Sequence, residues 1–163
     1  MSNLVYSAIE TAILFADSAQ AEDEILTMSA LASGAGQYSA RYTRSGNSHA
    51  GLYKWLLNFS LTGTNIVGAT VEVYWGESDG TYADGGLGTT TAALATDKRK
   101  NLHLAGLAIV DQTTTNVVMT ASGFFWTPSH NITMAVWNAT TLNFQTSTSL
   151  HQFYVIPVPD EIQ

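Results

Sequence analysis

The chain has no cysteine, only three prolines and few charges among its 163 residues. Without cysteine there is no disulfide, no thiolate metal site and no cysteine nucleophile, so cohesion must come from apolar burial. Charged residues make up 12% of the chain, about half the usual ~25% of a soluble domain. Thr, Ser, Gly, Ala and Asn fill the remaining surface, which suits close packing. Bases are scarcest: six against thirteen acids, for a formal charge of −7. Five of them fall in two small groups, Arg41 with Arg44 and Lys98-Arg99-Lys100, and the sixth is Lys54. Neither makes the broad basic face that phosphate binding needs, so a nucleic-acid partner is not expected. No apolar run approaches the ~18 residues of a membrane span, and the N-terminus lacks the basic segment and apolar core of a signal peptide. The expectation is synthesis and folding in the cytoplasm, without a membrane partner. Asn58, Asn131 and Asn138 each head an N-x-S/T sequon, read as chance products of Thr-rich strands.

What the chain does have is period-two alternation. Tyr53, Trp55, Leu57, Phe59 and Leu61 share one face, while Lys54, Asn58 and Ser60 share the other. Val71, Val73 and Trp75 repeat the pattern, as do Ile132, Met134 and Val136. Further strands are expected near 11–16, 25–30, 38–44, 101–110, 115–125 and 150–156, bounded by Gly, Pro, Asn, Asp or Ser. With 45% hydrophobic residues the length suits one domain spanning 1–163. The predicted fold is all-β: a jelly-roll-like sandwich of about eight antiparallel strands. Residues 1–10 read as an N-terminal arm and 157–163 as a C-terminal tail, either of which would reach a neighbouring subunit. The segment 77–100, with Gly80, Gly85, Gly86, Gly88 and Thr89-Thr90-Thr91, reads as a long loop making a partner contact.

Catalytic patterns are weak throughout. Glu77, Asp79 and Asp84 around Gly80 and Gly85 superficially resemble a calcium loop, but the spacing fits no EF-hand and Asp-Gly is ordinary turn chemistry. His49, His103, His130 and His151 have no i, i+2 or i, i+4 partner. There is no G-x-S-x-G elbow, no phosphate loop, and no pair of acids on apolar strands, since Glu22-Asp23-Glu24 reads as a solvated turn. The chain is therefore expected not to be an enzyme and to carry no cofactor, metal or catalytic residue. Aromatics are the remaining candidates. Trp55 and Trp75 read as core, whereas Trp126, beside Pro128, and Trp137 read as freer to face a ligand or subunit, with Tyr82 and Phe124-Phe125 as further platform candidates.

Several segments carry a resemblance: Ile13 to Ser18, Leu31 to Ser39 with Tyr42 and Gly46, Tyr53 to Leu61, Val71 to Trp75 with the Asp79–Gly86 loop, and the Phe124–Ser129 turn leading to Asn138. Taken in this order, over about residues 11–156, the chain resembles the head decoration, or cement, proteins of tailed bacteriophages. The resemblance rests on strand patterns and turns, with no catalytic signature. It implies a jelly-roll protein, often a homotrimer, that sits on the exterior of a virion and ties neighbouring subunits of the major capsid protein together. Partner contacts are expected at Tyr82, Asp84, Leu87, Trp126, Trp137, Pro157 and Pro159. An alternative expectation is a carbohydrate-binding or receptor-binding fibre or tail domain using Trp126 and Trp137, and a third is a hydrolase with a site assembled only by the fold.

Overall fold

Strands whose side chains alternate between apolar and polar bury one face, and two such faces can satisfy each other. That is the arrangement in the computed structural model, which describes residues 11–18, 20, 22–44 and 51–158. The strands are β1 (Ile13–Ala16), β2 (Glu24–Ile25), β3 (Gly36–Tyr38), β4 (Tyr42–Thr43), β5 (Leu52–Phe59), β6 (Thr70–Ser78), β7 (Ala92–Leu94), β8 (His103–Ile109), β9 (Met119–Trp126), β10 (Asn131–Asn138) and β11 (Gln152–Val158). One short helix, α1, spans Thr96–Arg99.

The first sheet runs β2-β1-β11-β5-β9 and the second β7-β3-β10-β6-β8, with β4 also paired to β10. Without the short additions, the eight principal strands form β1-β11-β5-β9 and β3-β10-β6-β8. Numbered in chain order, these are 1-8-3-6 and 2-7-4-5, the double Greek key of a jelly roll. The expected fold class therefore holds, with two differences. β2 pairs parallel to β1, so the sheets are not wholly antiparallel. The strand expected at 25–30 is confined to Glu24–Ile25, because Leu26, Met28 and Leu31 turn inward to close the sandwich. β3 and β4 are one strand interrupted at Ser39, whose Oγ accepts the Met134 N–H at 3.1 Å and donates to the Ala40 carbonyl.

The core lies between the sheets. β5 contributes Tyr53, Trp55, Leu57 and Phe59, and β6 and β10 oppose them with Val71, Val73, Trp75, Ile132, Met134 and Val136. Trp55 sets the spacing at the edge formed by β8 and β9. A Cβ on Gly106 would come within 2.7 Å of its ring, and so would one on Gly123. The indole Nε1 donates to the Ala105 carbonyl at 3.2 Å, beside a register shift between Val73 and Tyr74 on the neighbouring strand. Glycine at both positions lets two strands close on one large ring.

The largest departure from the sequence reading is at 77–100. This segment is not a free loop. β6 continues to Ser78, a tight turn forms at Asp84–Gly86, β7 pairs with β3, and α1 follows. The chain folds over the outer face of the second sheet, where Leu87 and Leu94 join Tyr38, Ala135 and Trp137 in a separate buried cluster. The physical reason is the composition of that face: Tyr74, Ala135 and Trp137 are apolar on the side away from the main core, and the chain supplies its own cover.

Candidate functional site: an uncovered sheet face

The outer face of the first sheet has no such cover among the described residues: its β9 edge is exposed, and its outward side chains on β5 and β11 are half-buried. On the first sheet the outward side chains follow from the register. Trp126 lies opposite Leu52 and Leu52 opposite Val158; Phe124 lies opposite Lys54 and Lys54 opposite Ile156; Ser122 lies opposite Leu56 and Leu56 opposite Tyr154. Their inward neighbours Tyr53, Trp55, Phe125, Phe153 and Val155 are buried. Trp126 is 61% exposed and Phe124 59%, on the edge strand β9. At the adjoining edge of the second sheet, β8 leaves Leu104, Leu107 and Ile109 exposed. Large exposed apolar side chains that are contiguous mark interaction surfaces more often than scattered ones do.

Charge is nearly absent here. From Asn101 to Val158 the only Asp, Glu, Lys or Arg is Asp111. On the outer face of β5, β9 and β11 the only charge is Lys54, and it has no hydrogen-bond or ion-pair partner among the described residues. Depletion of charge around exposed aromatics is the compositional mark of an interface core.

The candidate contact residues separate accordingly. Trp126 is on the bare face. Tyr82, 78% exposed, and Asp84 line an open cleft of about 420 Å³ with Glu77, Ser78, Asp79, Ala83, Pro128 and Ser129. Three of the candidates are corrected. Trp137 is only 8% exposed and Leu87 is buried, because Trp137 lies beneath the 79–102 cover and Leu87, a residue of that cover, is turned in to the same cluster. Pro157 faces the core from β11, since period two places it in line with Phe153 and Val155. Pro159 lies outside the described residues, as do the 1–10 arm, His49 and most of the 157–163 tail.

Three carboxylates line the cleft, yet they act as struts. Asp79 Oδ1 accepts the N–H groups of Thr81 and Tyr82, both at 2.7 Å, and these bonds hold its pKa below the ordinary carboxylate value. Asp84 Oδ2 accepts the Glu77 N–H at 2.9 Å, with His103 Nε2 3.4 Å away. Glu77 Oε1 accepts the Thr127 hydroxyl at 2.6 Å. Among the described residues no three His, Cys, Asp or Glu side chains are placed to hold a metal ion. The histidines stand apart: His103 stacks on Trp75 at 4.4 Å, His130 lies in the β9–β10 turn, and His151 is buried against Phe144. Asn138, though in a sequon, is buried with both amide atoms bonded.

No protein-family model matches the chain, and no curated protein matches it. The surface itself therefore carries the functional argument. Sequence reasoning placed Lys54 on the outward side of its strand but missed Leu52, Leu56 and Ile156 as the surface around it. The available signal was that β5 and β11 are apolar on both of their alternating faces, more than a strand with one solvated side requires.

Proposed function

We propose that this chain is a structural virion subunit that binds the outside of a tailed-phage capsid and stabilises the head lattice by bridging subunits of the major capsid protein, itself assembling as a homotrimer. The observation that carries the docking role is the asymmetry of the sandwich. One outer sheet face is covered by the chain's own residues 79–102, while the other presents Trp126 and Phe124 in a nearly uncharged surround. Soluble monomers rarely leave such a surface unused. The phage setting comes from the resemblance over about residues 11–156, and a jelly roll is compatible with it without requiring it. A rigid scaffold that repeats a modest contact many times gains avidity from effective concentration, which suits lattice stabilisation.

A fibre or carbohydrate-binding reading keeps Trp126 and Phe124, two residues apart on one face, as a stacking platform, but it loses Trp137. Quantitative mass spectrometry of purified particles separates the two. A copy number comparable to that of the major capsid protein supports the lattice role. A few copies per particle rejects it in favour of the fibre.

A further inference from the structure

A face of three strands whose only charge is one cation constrains what can cover it. Lys54 lies on the central strand of the bare face, flanked across the strands by Phe124 and Ile156, with Leu52 and Leu56 two residues either side on β5. Lys54 is half-buried, and its ammonium has no hydrogen-bond or ion-pair partner among the described residues. If an apolar surface closed over it, the charge would lose water and gain nothing, at a cost that an opposing carboxylate would offset.

From this geometry we infer that the outer face of the first sheet docks an apolar protein surface carrying one carboxylate, which pairs with Lys54 inside a ring formed by Trp126, Phe124, Leu52, Leu56 and Ile156. The inference rests on the docking role proposed above and names the chemistry of the partner. A second copy packed face to face fits poorly. A two-fold axis through the patch would bring two Lys54 ammonium groups towards each other with no acid among the outward side chains of β5, β9 and β11 to separate them. An anionic membrane or nucleic acid fits no better, because one lysine on a chain of net charge −7 makes no basic field.

Size supports a repeated contact over a solitary one. Three strands of seven or eight residues span roughly 15 Å by 25 Å at the usual strand spacing and rise. That is under ~400 Å² in projection, where a free-standing stable interface uses ~800 Å² per partner. Large aromatics and a charge pair desolvated within the contact are the features that concentrate binding energy in a small patch.

The test uses the full-length chain and particles of the phage that encodes it. A carbodiimide, which condenses an amine with a carboxylate held beside it, is applied to assembled particles, and linked peptides are sequenced. The expected product joins Lys54 to an Asp or Glu of another virion protein. In parallel, Lys54→Glu is expected to lower particle occupancy at least tenfold, with Lys54→Gln intermediate. Lys100→Glu, the same charge change on the covered side of the sandwich, is expected to leave occupancy unchanged, and thermal unfolding of each variant checks the fold. Wild-type chain on particles with Lys54→Glu bound equally well, or a Lys54 linkage only to a second copy of this chain, overturns the inference alone. Absence of wild-type chain from the particles overturns the docking role together with it.

Discussion

The guanidinium carbon of Arg99 lies 4.1 Å from the centroid of the Trp137 ring, and Arg99 Nη1 donates to Glu72 Oε2 at 2.8 Å. Glu72 also accepts the Tyr74 hydroxyl at 2.6 Å. Burial, followed by that bond to a carboxylate, pushes the Tyr74 pKa up to about 12. One side chain from the end of α1 thus fastens the 79–102 cover to the outer face of the second sheet and keeps Trp137 from solvent.

Arg99→Ala is expected to destabilise the fold by about 1–2 kcal/mol, since it removes a cation–π contact and a partly buried ion pair together. Arg99→Lys should restore only part, because an ammonium cannot both stack on the ring and present a planar fork to the carboxylate. Urea unfolding gives the magnitude, and amide exchange should show lost protection over β7 and α1. Unchanged exchange there would mean the cover is held by Leu87 and Leu94 alone.

The close approach of Gly123 to Trp55 gives a second prediction. A methyl group at Gly123 would meet indole Nε1 at 2.7 Å and Cε2 at 2.8 Å, and a buried ring between two strands has little room to move. Gly123→Ala should cost about 1–3 kcal/mol. Combined with Trp55→Leu, the loss should be smaller than the sum of the two single losses, because the clash is absent once the ring is gone. Simple additivity in chemical unfolding would show that the edge strands adjust freely around the indole.

Asn138 is the polar hub at the end of β10. Its Nδ2 donates to the carbonyls of Leu31 and Leu142, and its Oδ1 accepts the N–H and hydroxyl of Thr140. Asn138→Leu has a similar volume but strands those groups in the interior, so a loss of about 2–4 kcal/mol is expected in thermal or urea unfolding. A loss below about 1 kcal/mol would show that water reaches the site.

His151 supplies a pH dependence. It is fully buried, with Nε2 2.9 Å from the Gln145 carbonyl, and burial lowers its pKa from the ordinary value near 6.5. The unfolded chain then takes up a proton more readily than the fold. Stability from this group is complete above the unfolded value and is lost as the pH falls towards the depressed folded one. The stability advantage of wild type over His151→Gln should therefore narrow between about pH 7 and pH 5. A constant difference across that range would place the titration elsewhere.

Alternation in the sequence determined the principal strands, because a residue's side of a strand is fixed by parity: Tyr53 to Phe59, Val71 to Trp75 and Ile132 to Val136 bury the sides their spacing indicates. Turn residues bounded them, and the short strand before Asp17 was legible from Ile13-Leu14-Phe15. Parity could not say which of two apolar faces would be covered, or by what. Trp137 and Leu87 looked available for a partner and Trp126 looked equivalent to Trp137. Yet residues 79–102 fold back onto the second sheet and bury Leu87 against Trp137, while Trp126 on β9 stays in solvent. Only the strand order decides that, since it places β10 in the middle of one sheet and β9 at the edge of the other. Likewise, Lys54 reads in sequence as an ordinary solvated strand residue. Its meaning comes from the two strands that pair on either side and set Phe124 and Ile156 beside it, a juxtaposition between segments too far apart in the chain for any local pattern to specify.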